Sequence, residues 1–156
     1  MFKRIALCAL LLLPVLSRAE LLVGIGYMNG VVGPNLEWAW QRNTAYVLPG
    51  AHMGNQGLED DFRWVAGLRH RIDRGTTVTS GFFTGAMVGD LGGEKHYERL
   101  GVGGELGHQW VGNFLRLTAS GGIALLEEIK EEDLDMEPQL TIGAVSYTHL
   151  TLPTKA

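Results

Sequence analysis

At 156 residues the chain is long enough for one domain. Glycine supplies 22 residues, about twice its usual share of roughly 7%, while charged residues make up only 19% and the formal charge is −4. No basic patch interrupts this balance, which argues against a nucleic-acid partner.

The two ends differ from the middle. Met1-Phe2-Lys3-Arg4 is a short basic segment, Ile5 to Leu16 is apolar, and Ser17-Arg18-Ala19 places small residues where a signal peptidase reads. This pattern is expected for a secretory signal peptide over residues 1–19, cleaved after Ala19. The apolar run is shorter than the roughly 20 residues of a spanning helix. Cys8, the single cysteine, lies inside it, so the mature chain has no disulfide or thiolate chemistry. At the other end, residues 145–156 (Val-Ser-Tyr-Thr-His-Leu-Thr-Leu-Pro-Thr-Lys-Ala) fit nothing before them and resemble a translated sequencing-library adapter. The expectation is a native span of 20–144, truncated near Ala144, followed by a non-native tail in which Tyr147 and His149 carry no functional weight. Setting both ends aside leaves 9 basic residues against 17 acidic ones, a formal charge of −8.

Between these ends a period of two recurs, which places successive side chains on opposite faces of extended strands. Leu21 to Met28 is the first strand, followed by a turn at Asn29-Gly30 and a loop through Gly33-Pro34. Asn35 to Gln41 is the second, with Leu36, Trp38 and Trp40 on one face. After Arg42-Asn43, Thr44 to Leu48 is a third, ended by Pro49-Gly50 and a polar loop over 50–60. Phe62 to Ile72 is the fourth, Asp73-Arg74-Gly75 a short turn, and Thr76 to Val88 the fifth. The most regular stretch follows a Gly-rich loop over 90–95. From Glu98 to Val111, Leu100, Val102, Leu106 and Trp110 alternate with Arg99, Gly101, Gly103, Glu105, Gly107 and Gln109. After Gly112-Asn113 the alternation resumes over Leu115–Leu125. Glu127 to Glu137 is an acidic loop, and Gln139 to Ala144 begins an eighth strand that is cut short.

Short turns after strands two, four and six, against longer polar connections after the others, imply an antiparallel up-and-down barrel of about eight strands. The fold class expected is all-β, a transmembrane barrel whose last strand is truncated. Charges and glycines share one face of the strands, and aliphatic and aromatic residues share the other. The charged face holds both signs, Glu37 and Glu105 against Arg63, Arg69, Arg99 and Arg116, which together could form a closed lumen network. Tyr27, Phe62 and Trp64 fall near the longer loops, and Trp40 and Trp110 near the tight turns, as two aromatic girdles would.

Signal peptide, glycine- and aromatic-rich alternating strands and polar loops together resemble the small outer-membrane β-barrel proteins of Gram-negative bacteria, the class that includes the barrel domain of outer membrane protein A. The resemblance implies an outer-membrane location. It also implies contact with lipid and lipopolysaccharide, and passage through periplasmic chaperones and the outer-membrane assembly machinery. It implies no cofactor. The terminal aromatic residue usual in that class is missing, as truncation would explain.

Chemical motifs are few. Gly101 to Gly107 fails the G-x-G-x-x-G spacing and lies within a strand, which removes a nucleotide loop. His70 and His108 fall on the apolar face with Ser80 between them, the residue types of a lipid-modifying barrel enzyme. They lie at the tight-turn end, where side chains accompanying Trp40 and Trp110 are expected. Glu94, His96 and Glu98 share a face near the long-loop rim, and the Glu127–Glu137 run could recruit divalent cations. The acidic run lacks EF-hand spacing, and a solvated rim and a solvated loop are the simpler readings. The lead expectation is a non-enzymatic barrel with a structural, envelope-integrity or surface-interaction role and a lumen filled by side chains. A lipid A deacylase-like enzyme and a soluble periplasmic barrel binding an apolar ligand are the alternatives.

Overall fold

The computed structural model describes residues 19–54, 57–92, 100–126 and 135–147. Eight antiparallel strands form one closed barrel: β1 (Ala19–Met28), β2 (Val31–Trp40), β3 (Asn43–Gly54), β4 (Gly57–Arg71), β5 (Gly81–Asp90), β6 (Leu100–Val111), β7 (Leu115–Leu126) and β8 (Asp135–Tyr147). Each strand pairs with the next, and β8 returns to β1 from Leu22↔Tyr147 to Met28↔Thr141. Closure leaves no unpaired sheet edge. The end where β1 starts and β8 finishes is termed basal, the opposite end distal.

The period of two survives folding intact. On β6, Gly101, Glu105 and Gln109 are buried while Val102, Leu106 and Trp110 are exposed. On β7, Arg116, Thr118 and Ser120 point in, and Leu117, Ile123 and Leu125 point out. An eight-stranded barrel is just wide enough for its side chains to fill, and here they form layers. Met28, Val31, Leu48, Val65, Met87 and Leu126 belong to an apolar cluster toward the distal end. Leu22, Ala39 and Val145 form a smaller one at the basal end. Charged and polar groups follow the distal cluster and run down to the register of the basal one, where Leu22 pairs with Glu37 and Val145 with Arg116.

The strand ends differ from the sequence reading in several places. Asn29 and Gly30, with φ of 45° and 89°, close a two-residue hairpin between Met28 and Val31. Both central residues having positive φ is the turn whose twist matches the strands it joins. The Gly33-Pro34 loop is therefore part of β2. Likewise β3 continues through Pro49-Gly50 to Gly54, with a register irregularity between Ala51 and Met53. The reason is local. The β2–β3 register runs Val31↔His52 and Val32↔Ala51, then resumes at Leu36↔Val47. That gap sets Pro34 opposite Pro49, two residues without an N–H to donate. Gly33 and Gly50 flank the gap, and a Cβ on either would strike the backbone of the other strand. Paired prolines and glycines here interrupt a ladder without ending the strands.

Two further boundaries move. β5 begins at Gly81 rather than Thr76, because Thr76–Thr79 closes a turn through Thr79 N–H to Thr76 O at 3.1 Å. The basal β4–β5 connection thus spans residues 72–80, while the distal β1–β2 and β3–β4 connections are two residues each, 29–30 and 55–56. Loop length does not separate the two ends as expected. β8 extends past Ala144 to Tyr147, and Val145 is 1% exposed against Leu22 and Ala39. The 1–18 segment and most of the 127–137 acidic run lie outside the described residues.

Lumen glycines make room for large partners. A Cβ on Gly67 would lie 2.5 Å from the Cζ and Oη atoms of Tyr46. Gly67→Ala is expected to cost about 1–3 kcal/mol, the usual penalty for overpacking, read from urea unfolding of the refolded barrel. Adding Tyr46→Ala should recover part of the loss. An unchanged midpoint in the single variant would mean that Tyr46 has space to move.

Candidate functional site

The middle of the lumen is a network of charges drawn from four strands, β2, β4, β6 and β7. Glu37 on β2, Arg69 on β4, Glu105 on β6 and Arg116 on β7 are each at most 4% exposed. Their inward direction follows from strand parity. Lumen glycines leave the width they need: Gly85 lies against Glu105, Gly67 against Tyr46, and Gly107 against Ser120 and Phe83.

Arg69 is the hub. Its Nε donates to Glu105 Oε1 at 2.9 Å and its Nη1 to Glu37 Oε1 at 3.2 Å. Its guanidinium carbon lies 4.0 Å from the Tyr46 ring centroid and 5.1 Å from that of Phe83. Tyr46 Oη donates to Glu105 Oε1 at 3.1 Å, and Ser120 Oγ to Glu105 Oε2 at 2.5 Å. Glu37 also accepts from Asn35 Nδ2 at 3.0 Å and from Arg116 Nη1 at 3.3 Å. Two carboxylates face two guanidiniums, so the layer is neutral, and its charge-assisted bonds tie four strands across the lumen. Breaking one partner out of such a pair leaves an unpaired buried charge, which costs about 3–5 kcal/mol.

Of the remaining lumen charges proposed from sequence, Arg63 sits apart at the distal end. It bonds Asp61 Oδ2 and Gly92 O, both at 3.3 Å. Arg99 lies outside the described residues, as do Glu94, His96 and Glu98. Tyr46 and Ser120 were not singled out from sequence. Parity with Thr44 and Leu48 on β3 would have found Tyr46. The partners of Ser120 depend on which strands face across the lumen.

Both mouths are filled by residues from connections. At the distal end Leu91 is fully buried, and its carbonyl accepts from Asn29 Nδ2 at 2.7 Å and Gln139 Nε2 at 3.1 Å. At the basal end the 72–80 segment folds over the opening. Thr77 is 5% exposed, its N–H donates to Gln41 O at 2.8 Å, and its carbonyl accepts from Arg116 Nη2 at 2.7 Å. Arg42 donates to Asp73 O, and Arg71 to Thr79 O. The Asp73 carboxyl is held below the ordinary carboxylate range. Partial desolvation raises it, but the N–H groups of Gly75 and Phe82 and the charges of Arg71 and Arg42 outweigh that. No sequence signal marks Leu91 or Thr77 as plugs, since each sits in a polar connection.

The outer wall is apolar from rim to rim. Ile25 (70% exposed), Val102, Leu106, Ile123 and Ile142 are among its exposed side chains. Tyr27, Phe62 and Trp64 lie toward the distal rim, and Trp40 and Trp110 toward the basal rim. Phe82 and His108 join the basal group, with the His108 ring 4.7 Å from Phe82 and 4.6 Å from Trp110. His70 Nδ1 lies 2.9 Å from Asn43 Oδ1, and Ser80 Oγ accepts from Val111 N–H at 2.9 Å. The three residues of the lipid-enzyme reading are thus each engaged with a different neighbour. Among the described residues no group of three or more His, Cys, Asp or Glu side chains could hold a metal ion. No protein-family model, curated protein or solved structure matches the chain.

Proposed function

We propose that this protein is an outer-membrane β-barrel with a structural or surface-interaction role, closed to diffusion and without catalytic activity. One observation carries the reading: the barrel is inside out relative to a soluble one. Its lumen buries Glu37, Arg69, Glu105 and Arg116, while Ile25, Phe62, Leu106 and Ile123 are more than half exposed on its outer wall. In water such a wall would be a large continuous apolar patch of the kind soluble monomers avoid. In a bilayer it is the surface that lipid requires. The aromatic residues at both rims suit the headgroup levels. An even number of strands brings the start of β1 and the end of β8 to the same, basal rim.

A role in the envelope other than transport fits the filled lumen. An apolar cluster lies distal to the charged layer, Leu22 and Val145 lie in register with Glu37 and Arg116, and Leu91 and Thr77 occupy the two mouths. The test has two parts. Expressed with its signal segment in a Gram-negative host, the protein should fractionate with the outer membrane and show heat-modifiable migration on gels. Reconstituted in planar bilayers, it should give no steady conductance steps. Recovery in the soluble periplasm would remove the membrane assignment, and stable channel openings would remove the plugged-barrel role.

A further inference from the structure

We propose that the barrel pairs with a second copy of itself through the outer wall of β6 and β7, at a depression centred on Gly104 and Gly121. The inference rests on the membrane reading of that wall. Gly104 and Gly121 are exposed and lie in mid-strand. Neither has the left-handed φ that favours glycine. Beyond its chain neighbours, a Cβ on Gly104 would come no closer to a heavy atom than 3.8 Å, at Gly85 O, and one on Gly121 no closer than 3.8 Å, at Gln139 O. Both are ordinary contacts. The inward Gly107 differs, since a Cβ there would lie 2.5 Å from Ala119 O. Glycine inside a strand weakens it, and one that the barrel's own packing does not demand marks a place where another backbone or a ligand comes close.

The neighbouring side chains turn these two gaps into a shaped surface. Gly104 is paired with Ala86 on β5 and Ile123 on β7, and Gly121 with Leu106 on β6 and Leu140 on β8. Leu106 and Ile123 stand beside the gaps, 59% and 58% exposed. The depression has a volume of about 630 Å³ and takes in Val102 and Leu125 as well. Thr84 borders it, with its hydroxyl already donating to Glu105 O at 3.3 Å. The opposite wall has no such relief: Leu36, Trp38 and Val47 project from β2 and β3 with no glycine between them.

The shape of this patch names its occupant. Acyl chains are fluid and mould to any apolar wall, so lipid alone gives no reason for glycine. A second rigid wall does. Between protein surfaces in a membrane no hydrophobic drive acts, and spanning elements associate where small residues let backbones approach closely. The patch is also self-complementary. Each copy offers Leu106 and Ile123 as ridges and Gly104 and Gly121 as hollows, so a two-fold pair seats a ridge of each copy in the depression of the other. That is the isologous contact of a closed dimer.

The experiment uses the full chain refolded in maltoside micelles matched to the density of the solvent. Sedimentation equilibrium should show monomer and dimer in exchange. Gly104→Leu and Gly121→Leu each fill the depression and should raise the dissociation constant at least tenfold. Ala45→Leu adds bulk to the outer face of β3, on the far side of the closed barrel, and should leave it unchanged. Heat-modifiable migration on gels checks that each variant is folded. Should a leucine prevent folding, the double variant Gly104→Ala, Gly121→Ala adds only the two Cβ atoms that the barrel has room for, and it should still weaken the dimer severalfold. A monomer at every concentration would mean that lipid alone fills the depression, and it overturns the inference. So does a dimer that the glycine variants and Ala45→Leu weaken equally or leave alone. Those results concern folded barrels in micelles and leave the membrane reading untouched. A folded monomer in detergent-free buffer removes that reading and this inference with it.

Discussion

Arg69→Met is expected to be the most damaging single substitution in the lumen, costing about 3–5 kcal/mol, the range for breaking one partner out of a buried ion pair. The reason is what it strands. Glu37 and Glu105 are at most 4% exposed, and Arg69 bonds both. Without it Glu105 keeps only the hydroxyls of Tyr46 and Ser120, and Glu37 keeps Asn35 and Arg116. Removing the charges together should behave differently. The triple variant Arg69→Met, Glu105→Gln, Glu37→Gln leaves Arg116 as the cost but no carboxylate in the network, so it should recover a good part of the loss. Equilibrium urea unfolding of the refolded barrel measures both. A single variant within about 1 kcal/mol of wild type, the scale of an exposed ion pair, would mean that the lumen is wet and that the network contributes little.

The second large effect separates the membrane reading from a soluble one. Leu106 is 59% exposed near the middle of β6, facing outward. In a bilayer Leu106→Arg should cost about 2–4 kcal/mol, and the same change near an interface only about 0–1. Phe114, 78% exposed in the basal β6–β7 turn, is the matching rim position. Folding into lipid vesicles, followed by denaturant titration, should therefore rank Leu106→Arg well below Phe114→Arg. In a soluble barrel an exposed Leu→Arg change stays within about 0.5 kcal/mol. Equal and small effects at the two positions would end the outer-membrane proposal.

The two tests touch different layers of the same design. Arg69 probes whether charges inside are paired well enough to exclude water. Leu106 probes whether the outside is matched to lipid. The lumen glycines connect them: a wall thin on its inner face at Gly67, Gly85 and Gly107 allows Tyr46, Glu105 and Phe83 to fill the lumen.

Much of this was legible in the amino-acid order. Strand parity alone separated Glu105 and Gln109 from Leu106 and Trp110, because a pleated chain has no other way to point its side chains. The eight-strand count, the antiparallel order and the two-faced wall follow from that alternation and from the turns between runs. Strand ends were less readable. Gly33-Pro34 and Pro49-Gly50 carry the composition of loops, yet they lie opposite one another within a ladder, a fact that depends on the β2–β3 register. Thr76 to Ser80 continues the β5 alternation, yet its hydrogen bonds fold it over the basal mouth.

What only the tertiary structure decided is which inward groups meet. Glu37 and Arg116 are 79 positions apart, and Arg69 reaches Glu105 from 36 positions away. Local alternation marks each as inward but says nothing of height along the barrel or of the facing strand. Those depend on the stagger with which the sheet closes. The same closure set Arg63 apart from the network and placed Arg71 beside Asp73 at the basal end. Sequence determined the sign of each face. Register and closure determined which charges are partners.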